Sequence, residues 1–220
     1  EDILGNTLGE IAFEKAGILK EGCLGVVGDL PREASDVVSV VARTLGSPTL
    51  KFGTDFWLDR EGRHVVYRDK NGTAVQFEPA LKGSFQEHNM AVAIATCLQL
   101  GVSMQLCCAG VERVYWPGRL ETVYSKGGRE VLLDAAHNPA GICELRRFIE
   151  ESDRGPIEIG FGALRTKQWR EMIGILTPIV AKWNLLLPSS DQAVSTAEMG
   201  EYLSSIGVKF SDFGDDHHGF

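Results

Sequence analysis

The sequence lacks an excess of positive charge, a membrane-length apolar run and any metal-type cysteine pair. Its formal net charge is -8, so it lacks the clustered cationic surface that nonspecific nucleic-acid binding requires, although local basic pockets stay open as a reading. No apolar stretch approaches the length of a membrane span and no signal peptide is visible, so neither a nucleic-acid nor a membrane partner is expected. The five cysteines (Cys23, Cys97, Cys107, Cys108 and Cys143) are odd in number and contain no C-x-x-C spacing. Reduced thiols in a cytoplasmic protein are expected, not disulfides or a zinc site. No G-x-x-x-x-G-K-[ST] loop occurs, so the chain brings no Walker phosphate cradle of its own, and Gly160-Phe161-Gly162 is too short for a dinucleotide fingerprint.

What is present is ordinary in bulk and informative in order. A chain of 220 residues is enough for one large domain or up to two small ones, and 44% hydrophobic with 24% charged residues suits a globular protein. Thr7 and Glu10 form the T-x-x-E box that opens a helix, expected over 7–20, with Ile11, Lys15 and Ile18 or Leu19 on one stripe. A short buried strand follows at 24–27. A helix from Pro31 with Val37, Val38, Val41 and Leu45 inward then ends at Gly46. Residues 49–79 are β-prone, and Asn71-Gly72 before Ala74–Phe77 predicts a hairpin. Helices are expected over 85–100 and, capped by Ser103, to about Val114.

Trp116-Pro117-Gly118-Arg119 breaks the pattern, so a first domain of residues 1–116 and a second of 117–220 are expected. The second reads as strand (131–134), helix (139–150), strand (157–161), helix (167–180), strand (183–187), helix (196–206) and strand (208–210). Alternating strands and helices predict an α/β domain built on a mostly parallel, doubly wound sheet.

Six residues are candidates for chemistry. The run Val131–Leu133 stops at Asp134, and His137-Asn138-Pro139 then opens a helix. A carboxylate, an imidazole and helix-start N–H groups thus fall together at the carboxyl end of a strand, where α/β sheets bind ligands and anions. Asp134 suits ribose hydroxyls and His137 a carboxylate or phosphate; a solvated Asp and a capping His are the plain alternatives. Lys15 is a cation on an apolar stripe: either its stem carries the charge to water, or burial leaves a reactive amine able to take up carbon dioxide and become an oxygen ligand for Mg²⁺. Its neighbour Glu14 is a salt-bridge partner or simply solvated. The amide of Asn89 both donates and accepts, as a purine edge requires, or belongs to an ordinary helix start. Arg119 is a phosphate clamp at a hinge or a linker salt bridge. Lys167 adds charge at another strand end or is a surface lysine. Asp215-Asp216-His217-His218 looks like a metal cluster but lies in a polar tail.

The markers Leu4-Gly5-Asn6-Thr7, Glu14-Lys15-Ala16-Gly17-Ile18, Gln86–Asn89 with Ala91, Pro117–Glu121, Asp134–Pro139 and Gly162-Ala163-Leu164, in that order, resemble the Mur ligase superfamily, and within it the folylpolyglutamate synthase/dihydrofolate synthase branch. The resemblance covers nearly the whole chain. It implies the end of a P-loop ATPase-like domain over 1–116 and a Rossmann-like Mur ligase carboxyl-terminal domain over 117–220, with the active site in a cleft between lobes. It implies a cytoplasmic, usually monomeric ligase that uses ATP and Mg²⁺ to add L-glutamate to folate or dihydropteroate through an acyl phosphate. By position, Lys15 is similar to the family's carbamylated, Mg²⁺-holding lysine, Asn89 to its adenine contact and Arg119 to its ATP-phosphate arginine. Asp134 is similar to its nucleotide carboxylate, and His137 to a residue of the glutamate or phosphate pocket. The family's P-loop, its Mg²⁺-binding Glu and its metal-binding His would all precede Glu1, so the 220 residues alone are expected to be an inactive fragment. Thr166-Lys167-Gln168 and Gln192-Ala193 stand where the family often has an acidic-Lys-acidic triplet and an Arg-Ala pair. Two other readings stand beside this one: a noncatalytic nucleotide- or ligand-binding module of the same fold, and a Mur-type ligase acting on a cell-wall precursor.

Overall fold

A computed structural model of the chain describes residue 5, residues 7–124 and residues 127–213. Leu4 and Asn6 of the first marker, and the Asp215–His218 tail, lie outside the described residues. The chain divides into two compact units, Glu1–Tyr115 and Trp116–Phe220.

In the first unit, helix α1 (Leu8–Ala16) opens at Thr7. The Thr7 hydroxyl accepts from Glu10 N–H, and the Glu10 carboxylate accepts from Thr7 N–H, so two orphan donors are satisfied reciprocally. The helix is shorter than the 7–20 stretch expected, ending at Gly17. Strand β1 (Gly25–Val27), helix α2 (Arg32–Thr44) and strand β2 (Thr49–Lys51) form a βαβ unit with the two strands parallel, Val26 opposite Leu50. Ala16, Leu19 and Ala42 form the buried seam with Val38, Val41 and Leu45 packed against it. Small alanines allow the close approach of α1 and α2.

Strands β3 (Phe56–Glu61), β4 (His64–Asp69) and β5 (Ala74–Phe77) form an antiparallel meander in the order β3-β4-β5. The β4–β5 turn follows from Asn71-Gly72: Gly72 sits at φ 89°, and one Asp69 oxygen accepts from both Asn71 N–H and Thr73 N–H. Helix α3 (Ser84–Gln99) buries Met90, Ala91, Ile94 and Ala95 against Phe56, Val65, Tyr67 and Phe77 of the meander. Helix α4 (Met104–Arg113), capped by Ser103, adds Cys107, Cys108 and Val111. Burial pushes the Tyr67 phenol up to about 12 and raises the Cys107 and Cys108 thiols, so all three stay neutral and unreactive at neutral pH. All five cysteines are free.

Asp55 fastens the start of the meander. It accepts from Lys70 Nζ at 2.7 Å and from Lys51 N–H at 2.8 Å, which together hold its carboxyl below the usual carboxylate range. A carboxylate depressed in the folded state stabilises the fold above its unfolded pKa, and this contribution is lost as pH falls through the folded value. Urea midpoints measured between pH 7 and 3 are therefore expected to fall more steeply for the unsubstituted chain than for Asp55→Asn. Parallel pH dependences would exclude this role for Asp55.

The second unit departs from expectation at its start. The strand read at 131–134 is β7 (Glu130–Leu133), and it pairs antiparallel with a strand not expected from the sequence, β6 (Glu121–Tyr124). Nor is it a buried strand, since Leu133 is 43% exposed. The alternation in Glu121-Thr122-Val123-Tyr124 and the Gly127-Gly128 step before Val131 were signals for this hairpin. The parallel sheet comprises β8 (Ile157–Phe161), β9 (Val180–Leu185) and β10 (Phe210–Asp212) in the order β10-β9-β8. The mixed α/β class with a parallel sheet is thus as expected. Helices α5 (Pro139–Glu151), α6 (Trp169–Leu176) and α7 (Thr196–Ser205) supply the rest of the layers. Helix α6 stops earlier than the expected 180 because Pro178, in a 3-10 turn at Thr177–Ile179, has no N–H with which to continue. The core gathers Ile142, Phe161, Trp169, Met172, Ile173, Leu176, Trp183, Leu185, Val194, Met199 and Leu203 around β9.

Candidate functional site

Two segments of the second unit are tied into one small platform. The first is the turn Pro117–Leu120, which enters β6. Gly118 at φ 67° and Leu120 at φ 47° are both left-handed. For a bulky residue such as Leu120 this backbone costs on the order of 1–3 kcal/mol and persists only when surrounding contacts impose it. Here the Leu120 side chain is buried (2% exposed) and its N–H donates to Asp134 Oδ2 at 3.0 Å. The second segment is the loop Asp134–Asn138 leaving β7. Asp134 Oδ1 accepts from Ala136 N–H at 2.9 Å, Ala135 N–H donates to Gly118 O at 2.8 Å, and Gly118 N–H donates to Glu121 Oε2 at 2.8 Å. Asn138 caps α5 by accepting from Gly141 N–H at 2.8 Å, with Pro139 in the first helical turn.

Arg119, Asp134 and His137 are therefore brought together by backbone connections within one unit. Arg119 is half-buried and pairs with no carboxylate among the described residues, so its charge is open to an anion. His137 is exposed; its Nδ1 lies 3.1 Å from Ala135 O. With the proton on Nδ1, that contact is a hydrogen bond and leaves Nε2 as the open ring nitrogen. Asp134 is half-buried and is not a solvated carboxylate: each of its oxygens already holds a backbone N–H.

The loops after β8 and β9 also meet. Arg165 N–H donates to Gln192 O at 2.7 Å, Val194 N–H donates to Ala163 O at 2.9 Å, and Leu164 bridges Ala193. Gly162 is required there, because a Cβ would stand 2.9 Å from Leu186 O. Lys167 is half-buried beside this junction, and Arg165 and Arg170 share Glu198 at 2.6 and 3.2 Å.

In the first unit the candidates stand differently from expectation. Lys15 is exposed, and the buried positions of α1 are Ala12 and Ala16, not the stripe through Ile11, Lys15 and Ile18. The reason is the seam with α2, which selects the alanine face; Ile18 lies beyond the helix and is 81% exposed. Glu14, also exposed, makes no ion pair with Lys15. Asn89 lies in the second turn of α3, not at its start, which belongs to Gly83 and Ser84. Its Nδ2 donates to Gln86 Oε1 at 3.1 Å, and Gln86 is buried. The Asn89 carbonyl and one amide hydrogen remain available, the pair that a purine edge needs.

Comparison with known proteins gives the chain its relatives. No family model matches it. It is 31% identical to a folylpolyglutamate synthase of Lacticaseibacillus casei over 209 residues, 90% of this chain and 48% of that protein. It is 34% identical over 90 residues to the UDP-N-acetylmuramoyl-L-alanyl-D-glutamate--L-lysine ligase of Streptococcus mutans, covering 41% of this chain and 19% of that enzyme. Its fold matches Escherichia coli FolC, solved in complex with DHPP and ADP, with a TM-score of 0.84 at 22% identity, over 97% of this chain and 50% of the other. These homologues bear out the resemblance to folylpolyglutamate synthases and Mur ligases and the α/β fold class. The chain spans about half the length of the folylpolyglutamate synthase it matches.

Proposed function

We propose that this chain is the carboxyl-terminal portion of an ATP-dependent ligase that joins L-glutamate to folate or dihydropteroate. On this reading residues 1–116 close the central ATPase domain and 117–220 form the Rossmann-like carboxyl-terminal domain of a cytoplasmic monomer. The observation that carries it is the platform in the second unit, in which an arginine with no acidic partner among the described residues and an imidazole stand on interlocked loops, within a chain similar to a folylpolyglutamate synthase.

The reaction would run in two steps. The γ-phosphoryl group of ATP passes to the substrate carboxylate, giving an acyl phosphate and ADP. The amine of glutamate then attacks the acyl carbon, the C–O bond breaks, phosphate leaves and the amine gives up a proton. Both steps concentrate negative charge on phosphoryl oxygens, and a fixed guanidinium stabilises such charge. Arg119 supplies it. His137 Nε2 holds an anionic oxygen of phosphate or glutamate when the ring is charged. Asn89 reads the adenine edge.

Mg²⁺ fits these residues poorly. Among the described residues no group of three His, Cys, Asp or Glu side chains could hold a metal ion. Lys15 as a carbamate would supply one ligand, and its exposure leaves the amine open to carbon dioxide.

The test is phosphate release by the full-length ligase with dihydropteroate, tetrahydrofolate or muramyl precursors, each offered glutamate, lysine and other amino acids. Turnover that needs both a folate and glutamate is the expected result. Turnover only with a muramyl precursor would favour the cell-wall reading that the Streptococcus similarity keeps open. ATP binding without turnover on any pair would favour the noncatalytic module.

A further inference from the structure

We infer that Gln86 is a positioning residue for the choice of purine: its buried side chain holds the Asn89 amide in one orientation, and the held amide admits adenine and rejects a 6-oxopurine such as hypoxanthine. The ligand comes from the proposed ATP-dependent reading, on which the inference rests for its consequence, whereas the hold itself is a property of the first unit alone.

Gln86, Met90 and Ile94 follow one another at helical spacing on the buried stripe of α3, so an amide occupies a place that suits an apolar side chain. Met90 and Ile94 pack in the core with Phe56, Val65, Tyr67 and Phe77 of the meander. Gln86 is 5% exposed, and a polar group buried to that degree must find a partner. Its Oε1 accepts from Asn89 Nδ2 at 3.1 Å, nearly one turn further on, where Asn89 itself is exposed. The core that immobilises Gln86 therefore reaches the exposed amide through one bond. A primary amide turned by 180° about its last side-chain bond exchanges its carbonyl and its NH2. Gln86 Oε1 accepts and cannot donate, so it tolerates only the turn that brings Nδ2 toward it. Adenine presents an amino donor beside a ring-nitrogen acceptor, and the fixed order of Asn89 Oδ1 and its remaining N–H is complementary to that pair. Hypoxanthine carries an oxygen in place of the amino group. Either Asn89 Oδ1 then faces that oxygen, or the amide turns and gives up its bond to Gln86.

The hold is tested first in the 220-residue chain. The side-chain amide of Asn89 is expected to exchange its hydrogens about three- to tenfold more slowly than that of the exposed Asn71, as one hydrogen bond would impose. Gln86→Met keeps the length of the side chain without its acceptor and should remove the protection, with the backbone amide of Ile94 unchanged. Gln86→Glu keeps an acceptor and should keep the protection. Unaltered Asn89 exchange in Gln86→Met would overturn the hold. Equal exchange at Asn71 and Asn89 in the unsubstituted chain overturns it as well, and that comparison requires no variant to fold.

The second arm measures the affinities of the full-length ligase for ADP and for IDP by calorimetry, in the unsubstituted, Gln86→Met, Gln86→Glu, Asn89→Ala and Gln86→Met/Asn89→Ala forms. The unsubstituted ligase is expected to prefer ADP. Gln86→Met should lower the ratio of the two affinities by about three- to tenfold, and should change it by less than about twofold once Asn89 is alanine. Gln86→Glu should retain the ratio. A helix that is merely loosened weakens both nucleotides by the same factor and leaves the ratio alone; that result overturns the inference. An undiminished effect of Gln86→Met beside Asn89→Ala, or no preference for ADP in the unsubstituted ligase, overturns it too. If the unsubstituted ligase binds neither diphosphate, the functional reading falls, and amide exchange still decides the hold.

Discussion

On the proposed ligase reading, replacing Arg119 by alanine is expected to lower kcat/KM for ATP in the full-length protein by about two to three orders of magnitude, the usual effect of removing one preorganised group that stabilises transition-state charge. The expectation follows from what Arg119 does not do in the fold. Asp134 accepts from the N–H of the adjacent Leu120 and from Ala136 N–H, and no described carboxylate pairs with the guanidinium. An unpaired, half-buried cation held by a left-handed backbone is poised for an anion and contributes little to stability. Arg119→Ala should accordingly leave the thermal midpoint within a few degrees of the unsubstituted protein. Arg119→Lys should restore only part of the rate, since a point charge lacks the forked donors that grip two phosphoryl oxygens. Steady-state kinetics within threefold of the unsubstituted enzyme would remove Arg119 from the phosphate site.

The largest expected effect on stability is at Trp183. It is 1% exposed, meets Phe161 edge-on with centroids 5.7 Å apart, and belongs to the core around Met172, Ile173, Leu176 and Leu203. Trp183→Ala removes the ring and leaves a cavity, so a loss of about 3–5 kcal/mol is expected. That is a large part of the total for a typical domain, roughly 5–15 kcal/mol. Trp183→Phe should be far milder. The indole Nε1 is buried with no hydrogen-bond partner among the described residues, and an orphaned donor of this kind costs about 1–3 kcal/mol. Phenylalanine removes the orphan along with the smaller of the two rings' worth of packing, so the two terms oppose each other. Urea denaturation followed by circular dichroism distinguishes the cases. Equal losses for Ala and Phe would show that the indole nitrogen is satisfied in solution.

Much of the architecture was legible because it is local. Thr7 with Glu10, Asn71-Gly72, Ser103 and Asn138-Pro139 each act on N–H groups within a few residues, and each cap or turn stands where the sequence places it. The errors share a different cause. Strand β7 carries the apolar run of a buried strand yet ends up in a half-exposed antiparallel pair, because its partner β6 satisfies it from the other side of a turn. Lys15 shares a helical stripe with Ile11, but α2 packs on the alanine face instead.

The order of motifs, the helix caps and the residue types of the platform are written in the chain, because capping, turn geometry and side-chain chemistry depend on near neighbours. Only the tertiary structure decided that Asp134 faces the backbone of Leu120, fourteen residues away. A carboxylate accepts equally well from ribose, guanidinium or amide, and which donor reaches it first depends on how distant segments pack.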